Sequence, residues 1–249
     1  MTHIPILFED EHYIAVHKPH GLLVHRNARD RRDKVFLIQL LRNQIGRKIY
    51  PVHRLDRATS GVMLFACHSE AARHMARNLA MKKVIKQYVA MVRGFTDESG
   101  SIDNPLTREA YEKSENDVLV SAITHYERLG TVELPYPVGP YQTARYSLLR
   151  VTPVTGRTQQ IRRHLRHISH PIIGDRMRGD TRHNRFISTN FDASRMFLAA
   201  TELRWRHPFS GDEMITTAPL EGTFRRIVLR FGWERFLSAS WLGPDIGDA

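Results

Sequence analysis

Residues 62–67 form a nearly unbroken run of six apolar side chains that leaves a turn-forming stretch carrying a lone carboxylate. A run of this length bounded by turn residues reads as a buried strand rather than a helix, and a strand of that kind must be covered by other elements. Further strand-like segments accompany it. Residues 4–8 and 13–17 are separated by the acidic turn Glu9-Asp10-Glu11, residues 88–92 end at Gly94, and residues 118–129 and 145–152 follow. Residues 196–205 and 213–217 flank Pro208-Phe209-Ser210-Gly211, a hairpin signal. Helical spacing predicts residues 36–45 with Gly46 as the stop, a helix capped by Ser69 and running to about Lys82, and helices over 158–167 and 220–231. Strands outnumber helices and several are joined as hairpins. The expected class is therefore α+β, a mixed, largely antiparallel sheet with flanking helices. No repeat, low-complexity tract or linker interrupts the chain, so residues 1–249 read as a single domain.

Charge narrows the partner. Lys and Arg total 37 against 26 acidic residues, a formal net charge of +11, which points to a phosphate backbone or an anionic membrane surface. No segment approaches the roughly 20 apolar residues that span a bilayer, and none resembles a signal peptide, so a membrane is not expected. The single cysteine, Cys67, excludes an intramolecular disulfide and fits a reducing cytoplasm.

The chemistry concentrates in His53-Arg54-Leu55-Asp56-Arg57-Ala58-Thr59-Ser60-Gly61. Asp56 stands between two arginines, and neighbouring positive charge favours its ionised form. An ionised, positioned Asp can act as a nucleophile or stabilise a developing cation. The same Asp-Thr-Ser pattern is also ordinary turn chemistry, in which side chains cap backbone donors. Lys18-Pro19-His20-Gly21 reads as a rigid turn that chiefly positions its neighbours. Lys86 and Tyr88 lie two residues apart on one strand face, where the ring either packs or stacks on an extruded base. Thr155-Gly156-Arg157 leads into a helix on which Arg162 and Arg163 diverge by about 100°. One of them can therefore face inward, and an inward Arg needs a carboxylate; Asp56 is the partner expected. His164, His167 and His170 lack the spacing and the companion ligands of a metal site, so no metal is expected and surface histidines near RNA are the plainer reading. Arg176, Arg178, Arg182 and Arg185 read as a loop, either solvated or tracking phosphates.

Taken together, these residues resemble the RluA family of pseudouridine synthases. The resemblance rests on Lys18-Pro19-x-Gly21, His53-Arg54-Leu55-Asp56 with Thr59-Ser60-Gly61, Lys86-x-Tyr88, Thr155-Gly156-Arg157 with Gln160-Ile161-Arg162, and Pro171-Ile172-Ile173-Gly174-Asp175. It implies a pseudouridine synthase catalytic domain with a central cleft and no separate N-terminal RNA-binding domain. It also implies isomerisation of uridine to pseudouridine without cofactor or metal. Asp56 would be the catalytic residue, Tyr88 would stack on the uracil, and Arg162 would keep Asp56 charged. Arg54 would enter the space left by the flipped nucleotide, with Lys18, Arg157 and Arg163 as further RNA-binding cations. Residues 122–145, Arg178 before Gly179, and Phe231-Gly232-Trp233 are most similar to members acting on uridine 65 in the T-arm stem of tRNA. The implied partner is thus RNA, tRNA first, with no obligatory protein partner. A ribosomal RNA synthase of the same family, or a catalytically idle RNA-binding or RNA-folding protein on the same scaffold, are the alternatives. Gln159 stands where the family usually has His.

Overall fold

The computed structural model describes residues 3–25, 35–107 and 118–243. In chain order the elements are β1 (Ile6–Glu9), β2 (Tyr13–Lys18), α1 (Leu37–Ile45), β3 (Tyr50–Pro51), β4 (Ser60–Ala66), α2 (Ser69–Ala80), β5 (Ile85–Arg93), β6 (Ser99–Asp103), β7 (Leu106–Thr107) and β8 (Leu119–Val120). They continue with β9 (Ile123–Leu134), β10 (Ala144–Pro153), α3 (Gln160–His167), α4 (Thr181–Phe191), β11 (Leu198–Arg206), β12 (Glu213–Thr217), α5 (Gly222–Arg230) and α6 (Ala239–Leu242). The strands pair largely antiparallel and helices flank them, which is the α+β class that the patterning predicts. The chain forms two compact units, one from Met1–Lys86, Ala199–Glu221 and Ala239–Ala249, the other from Gln87–Leu198 and Gly222–Ser238. No helix among the described residues is long and apolar enough to cross a membrane.

The first unit is built around β4. Every residue of β4 and of β2 is buried, which is why these strands read as continuous apolar runs instead of alternating ones. They pair antiparallel from Tyr13↔Ala66 to Lys18↔Gly61, while β11 runs parallel to β4 through Ala199↔Ser60 and Ala200↔Gly61. Gly61 has φ 114°, and a Cβ there would lie 2.0 Å from the Ala200 carbonyl oxygen, so only glycine lets the two strands approach at the exit from the Asp56 turn. Helix α1 stops at Gly46 as predicted, with Gly46 in the left-handed region and its N–H on the Arg42 carbonyl. The cap of α2 differs from the expectation. His68 is extended and its Nδ1 accepts the Ala71 N–H, which makes Ser69 the first helical residue.

In the second unit β5, β10, β9 and β6 pair antiparallel in that order. Strand β9 extends beyond the predicted 129 because Gly130 continues the strand: its missing side chain leaves room for the Phe236 and Trp233 rings, which a Cβ would meet at 2.7 and 3.0 Å. Leu119–Val120, predicted as part of that strand, separates as β8 and pairs with β7. Helix α5 is shorter than predicted, beginning at Gly222 and ending at Arg230. Helix α4 was expected to be loop. Asp180 caps it by accepting the Arg182 and His183 N–H groups, and only His183 and Ile187 are buried on its inner face.

Candidate active site

Asp56 is half-buried on a turn closed by the Thr59 N–H on the Asp56 carbonyl at 3.1 Å. The surrounding backbone is fixed from both sides. Upstream, His53 Nε2 accepts the Leu64 N–H at 3.1 Å, tying the loop to β4. Burial, with the Lys86 charge adding to it, holds the His53 pKa down to about 3, so the ring stays a neutral acceptor. Downstream, the Lys18–Gly21 turn grips Arg57 and Ala58. Gly21 N–H donates to the Arg57 carbonyl at 2.9 Å, and Arg57 Nε donates back to the Gly21 carbonyl at 3.1 Å. Lys18 Nζ donates to the Pro19 and Arg57 carbonyls at 2.9 and 3.1 Å, and the His20 ring donates from Nδ1 to the Ala58 carbonyl at 2.8 Å. Glu221, which no motif singled out, accepts the His20 N–H at 2.8 Å. Its distance in sequence from the turn, 201 residues from His20, leaves no local signal for the pairing.

Tyr88 is buried on β5 opposite Val151, and Arg162 is buried on α3. Arg162 donates from Nε and Nη2 to the two Asp175 carboxylate oxygens at 2.7 and 2.8 Å. Asp175 is thus a carboxylate partner of Arg162 that the sequence reading, which chose Asp56, left out. Burial works to raise the Asp175 pKa, but the Arg162 guanidinium and the Arg178 and Met177 N–H groups outweigh it and hold it below the usual carboxylate range. The start of α3 is fixed as well. Gln160 Oε1 accepts the Thr155 hydroxyl and the Arg157 N–H at 2.6 and 3.0 Å, while its amide donates to the Ile123 carbonyl and Thr124 hydroxyl at 2.9 Å each. The helix begins two residues later than predicted because Gln159, with φ 53°, sits in the left-handed region, where its Oε1 accepts from Arg178 Nε at 2.7 Å.

A family model described as RNA pseudouridylate synthase matches residues 12–167, which include the Asp56 turn, Tyr88 and Arg162. The chain belongs to that family. Proteins named tRNA pseudouridine synthase C are among its relatives. That of Vibrio parahaemolyticus is 41% identical over 94% of this chain and 97% of its own length. That of Yersinia pestis is 43% identical over 92% and 91%. That of Pectobacterium carotovorum is 44% identical over 95% of this chain, which spans 64% of that protein. Of the solved structures, Human RNA Pseudouridylate Synthase Domain Containing 4 superposes with a TM-score of 0.68 at 21% identity, covering 92% of this chain and 93% of that one. Human RNA Pseudouridylate Synthase Domain Containing 1 gives 0.68 at 22% identity over 88% and 84%. These two likenesses concern the fold.

In this pseudouridylate synthase the four cations expected on RNA divide. Arg54 is exposed and donates to His25 Nε2 at 3.2 Å; burial and the Arg54 charge lower the His25 pKa, which keeps that imidazole an acceptor. Arg157 is exposed and donates to the Ser121 carbonyl at 3.0 Å. Lys18 corrects the expectation: it is fully buried with its ammonium on backbone carbonyls, so it shapes the Asp56 turn instead of reaching RNA. Arg163 is half-buried and clamps Thr107 through its carbonyl and hydroxyl at 2.9 and 2.7 Å. His164 is likewise no surface histidine. It is fully buried, donating from Nε2 to the Asn104 carbonyl and accepting the Thr124 hydroxyl at Nδ1, and burial lowers its pKa.

Proposed function

We propose that this protein converts uridine to pseudouridine in tRNA, with uridine 65 of the T-arm stem as its target. What carries the reading is Asp56 on a turn pinned on both flanks, within the residues that match the family. Pseudouridine formation breaks the N1–C1′ bond, turns the uracil and joins C5 to the same C1′; N1 ends protonated and C5 loses its proton, so atoms balance without a co-reactant. Asp56 serves this chemistry either by attacking C1′ or by taking the C2′ proton on the way to a glycal. Arg162 is itself fixed by Asp175. Tyr88 stacks on the flipped uracil. A stem uridine has to leave the helix at a cost of a few kcal/mol, and Arg54 fills the gap it leaves. The tRNA substrate sets the compartment as the cytoplasm.

Incubation with tRNA transcripts, read by carbodiimide mapping, tests this. The wild type should mark position 65, and Asp56→Asn should lose about 10³-fold or more of the rate while still binding RNA. Normal turnover by Asp56→Asn would remove the mechanism; modification of ribosomal RNA alone would remove the substrate. A primary isotope effect from 2′-deuterated uridine separates the two roles of Asp56.

A further inference from the structure

Several arginines of the second unit are neutralised: Arg93 pairs with Asp180, Arg145 with Glu133, Arg150 with Glu127 and Arg226 with Asp192. A group on α3, on α4 and between them is not. Arg166, Arg176, Arg182 and Arg185 are all exposed, and none makes an ion pair with a carboxylate among the described residues. Arg166 reaches across to the Arg178 carbonyl at 3.1 Å, which places the end of α3 beside the segment leading into α4. Arg182 lies over Gly139, where a Cβ would meet its guanidinium at 2.9 Å.

Two of these charges oppose the fold's own field. Arg182 lies in the first turn of α4 and Arg185 one turn further, at the end where the helix dipole disfavours cations. No acidic residue occupies that first turn. The cap is made by Asp180 with the backbone N–H groups of Arg182 and His183, so the arginine side chains contribute nothing to it. Charge kept at an unfavourable end, unpaired and solvent-facing, fits a polyanion brought by a partner.

We infer that Arg166, Arg176, Arg182 and Arg185 form a phosphate-binding face that holds the double-stranded stem of the RNA substrate. This rests on the RNA reading above and adds where the backbone is gripped: on α3 and α4, and not through Lys18 or Arg163, whose cationic groups the protein itself engages. Each phosphate contact releases counterions, so the face should account for a defined part of the salt dependence of binding.

The test measures tRNA binding by full-length protein from 50 to 200 mM salt, with fluorescence anisotropy. Arg182→Gln/Arg185→Gln should flatten the log–log slope by about 1.5–2, so that over this range the wild type loses about tenfold more affinity than the variant. Turnover at saturating tRNA and the melting temperature should be unchanged. Arg145→Gln/Arg226→Gln, equally exposed but ion-paired, should keep the wild-type slope. An unaltered slope in the first variant, or an equal loss in the second, overturns the inference. So does selective loss of binding to polyglutamate with tRNA binding intact, which would assign the face to an acidic protein. If the wild type isomerises tRNA while Arg182→Gln/Arg185→Gln binds as it does, the inference fails alone. If the wild type neither binds nor modifies RNA, the underlying reading fails with it.

Discussion

At Lys18 a positive charge lies fully buried against backbone carbonyls, a location that only a local structural requirement explains. Lys18→Met keeps the bulk and removes the donor, taking one hydrogen bond each from the Pro19 and Arg57 carbonyls, of which the latter keeps the Gly21 N–H. A cost of about 1–3 kcal/mol in urea unfolding follows, since hydrogen bonds from charged groups are the stronger ones. Because the Arg57 carbonyl is next to Asp56, kcat should fall, while tRNA affinity stays within about twofold; a selective loss of affinity would return Lys18 to the RNA surface. His53 gives a second handle, through pH. Its folded-state pKa of about 3 lies below the ordinary 6.5, so between those values the unfolded chain binds a proton that the folded protein refuses. The stabilising contribution is complete above pH 6.5 and declines as pH falls toward 3, by at most about 1.4 kcal/mol per pH unit. His53→Gln retains an acceptor for the Leu64 N–H and cannot titrate. Its stability should therefore fall less steeply over this window, and an identical acid profile would show that another group sets it.

Helix α3 is held by its buried ion pair more than by its own propensity. Removing Asp175 takes the two-pronged carboxylate away from a buried guanidinium, and breaking a buried pair of this kind costs about 3–5 kcal/mol. Asp175→Asn should accordingly lower the melting temperature by about 6–20 °C for a chain of this size. Turnover should fall as well, since Arg162 loses its fixed orientation; a melting temperature within 2 °C or so of the wild type would mean that the pair is not what anchors the helix. The sequence makes Arg162 and Asp56 legible because the motifs around them have a fixed order. It hides Asp175 as a partner, because a residue closing a Pro-Ile-Ile-Gly-Asp turn gives no sign of the direction of its side chain. Strands β2, β4 and β12 are readable from uninterrupted apolar runs or from a hairpin signal. Helix α4 is not, since two buried residues four apart, His183 and Ile187, make too narrow an apolar stripe among polar neighbours. The left-handed Gln159 is equally invisible: no residue type other than glycine announces that conformation, and only the Arg178 bond shows what holds it.

On the scale of the whole chain, the order of segments decides what can fold alone. The match to the family ends at residue 167, but neither compact unit is complete there. The first unit takes β11 from beyond that point as the parallel neighbour of β4 at Ser60 and Gly61, the positions where β4 leaves the Asp56 turn. It also takes Glu221, which holds His20 against the turn. The second takes α5, whose Phe224 ring meets Phe197 edge-on at 5.2 Å, and Trp233, whose indole N–H reaches the Thr131 carbonyl at 3.2 Å. Without these, a strand buried on both faces loses its cover along one edge, and unpaired backbone groups there cost free energy that a marginally stable fold cannot absorb. A fragment of residues 12–167 therefore holds Asp56, Tyr88 and Arg162 yet should lack a cooperative thermal transition by near-ultraviolet circular dichroism, and should be inactive on tRNA. Adding residues 199–221 in trans would supply only β11, β12 and Glu221 to the first unit, so activity should stay absent until residues 168–198, with Asp175 and Phe197, and 222–238 are supplied too. A cooperative melt by the 12–167 fragment alone would show that the Asp56 turn depends only on the motifs around it, and that the later segments serve some other purpose.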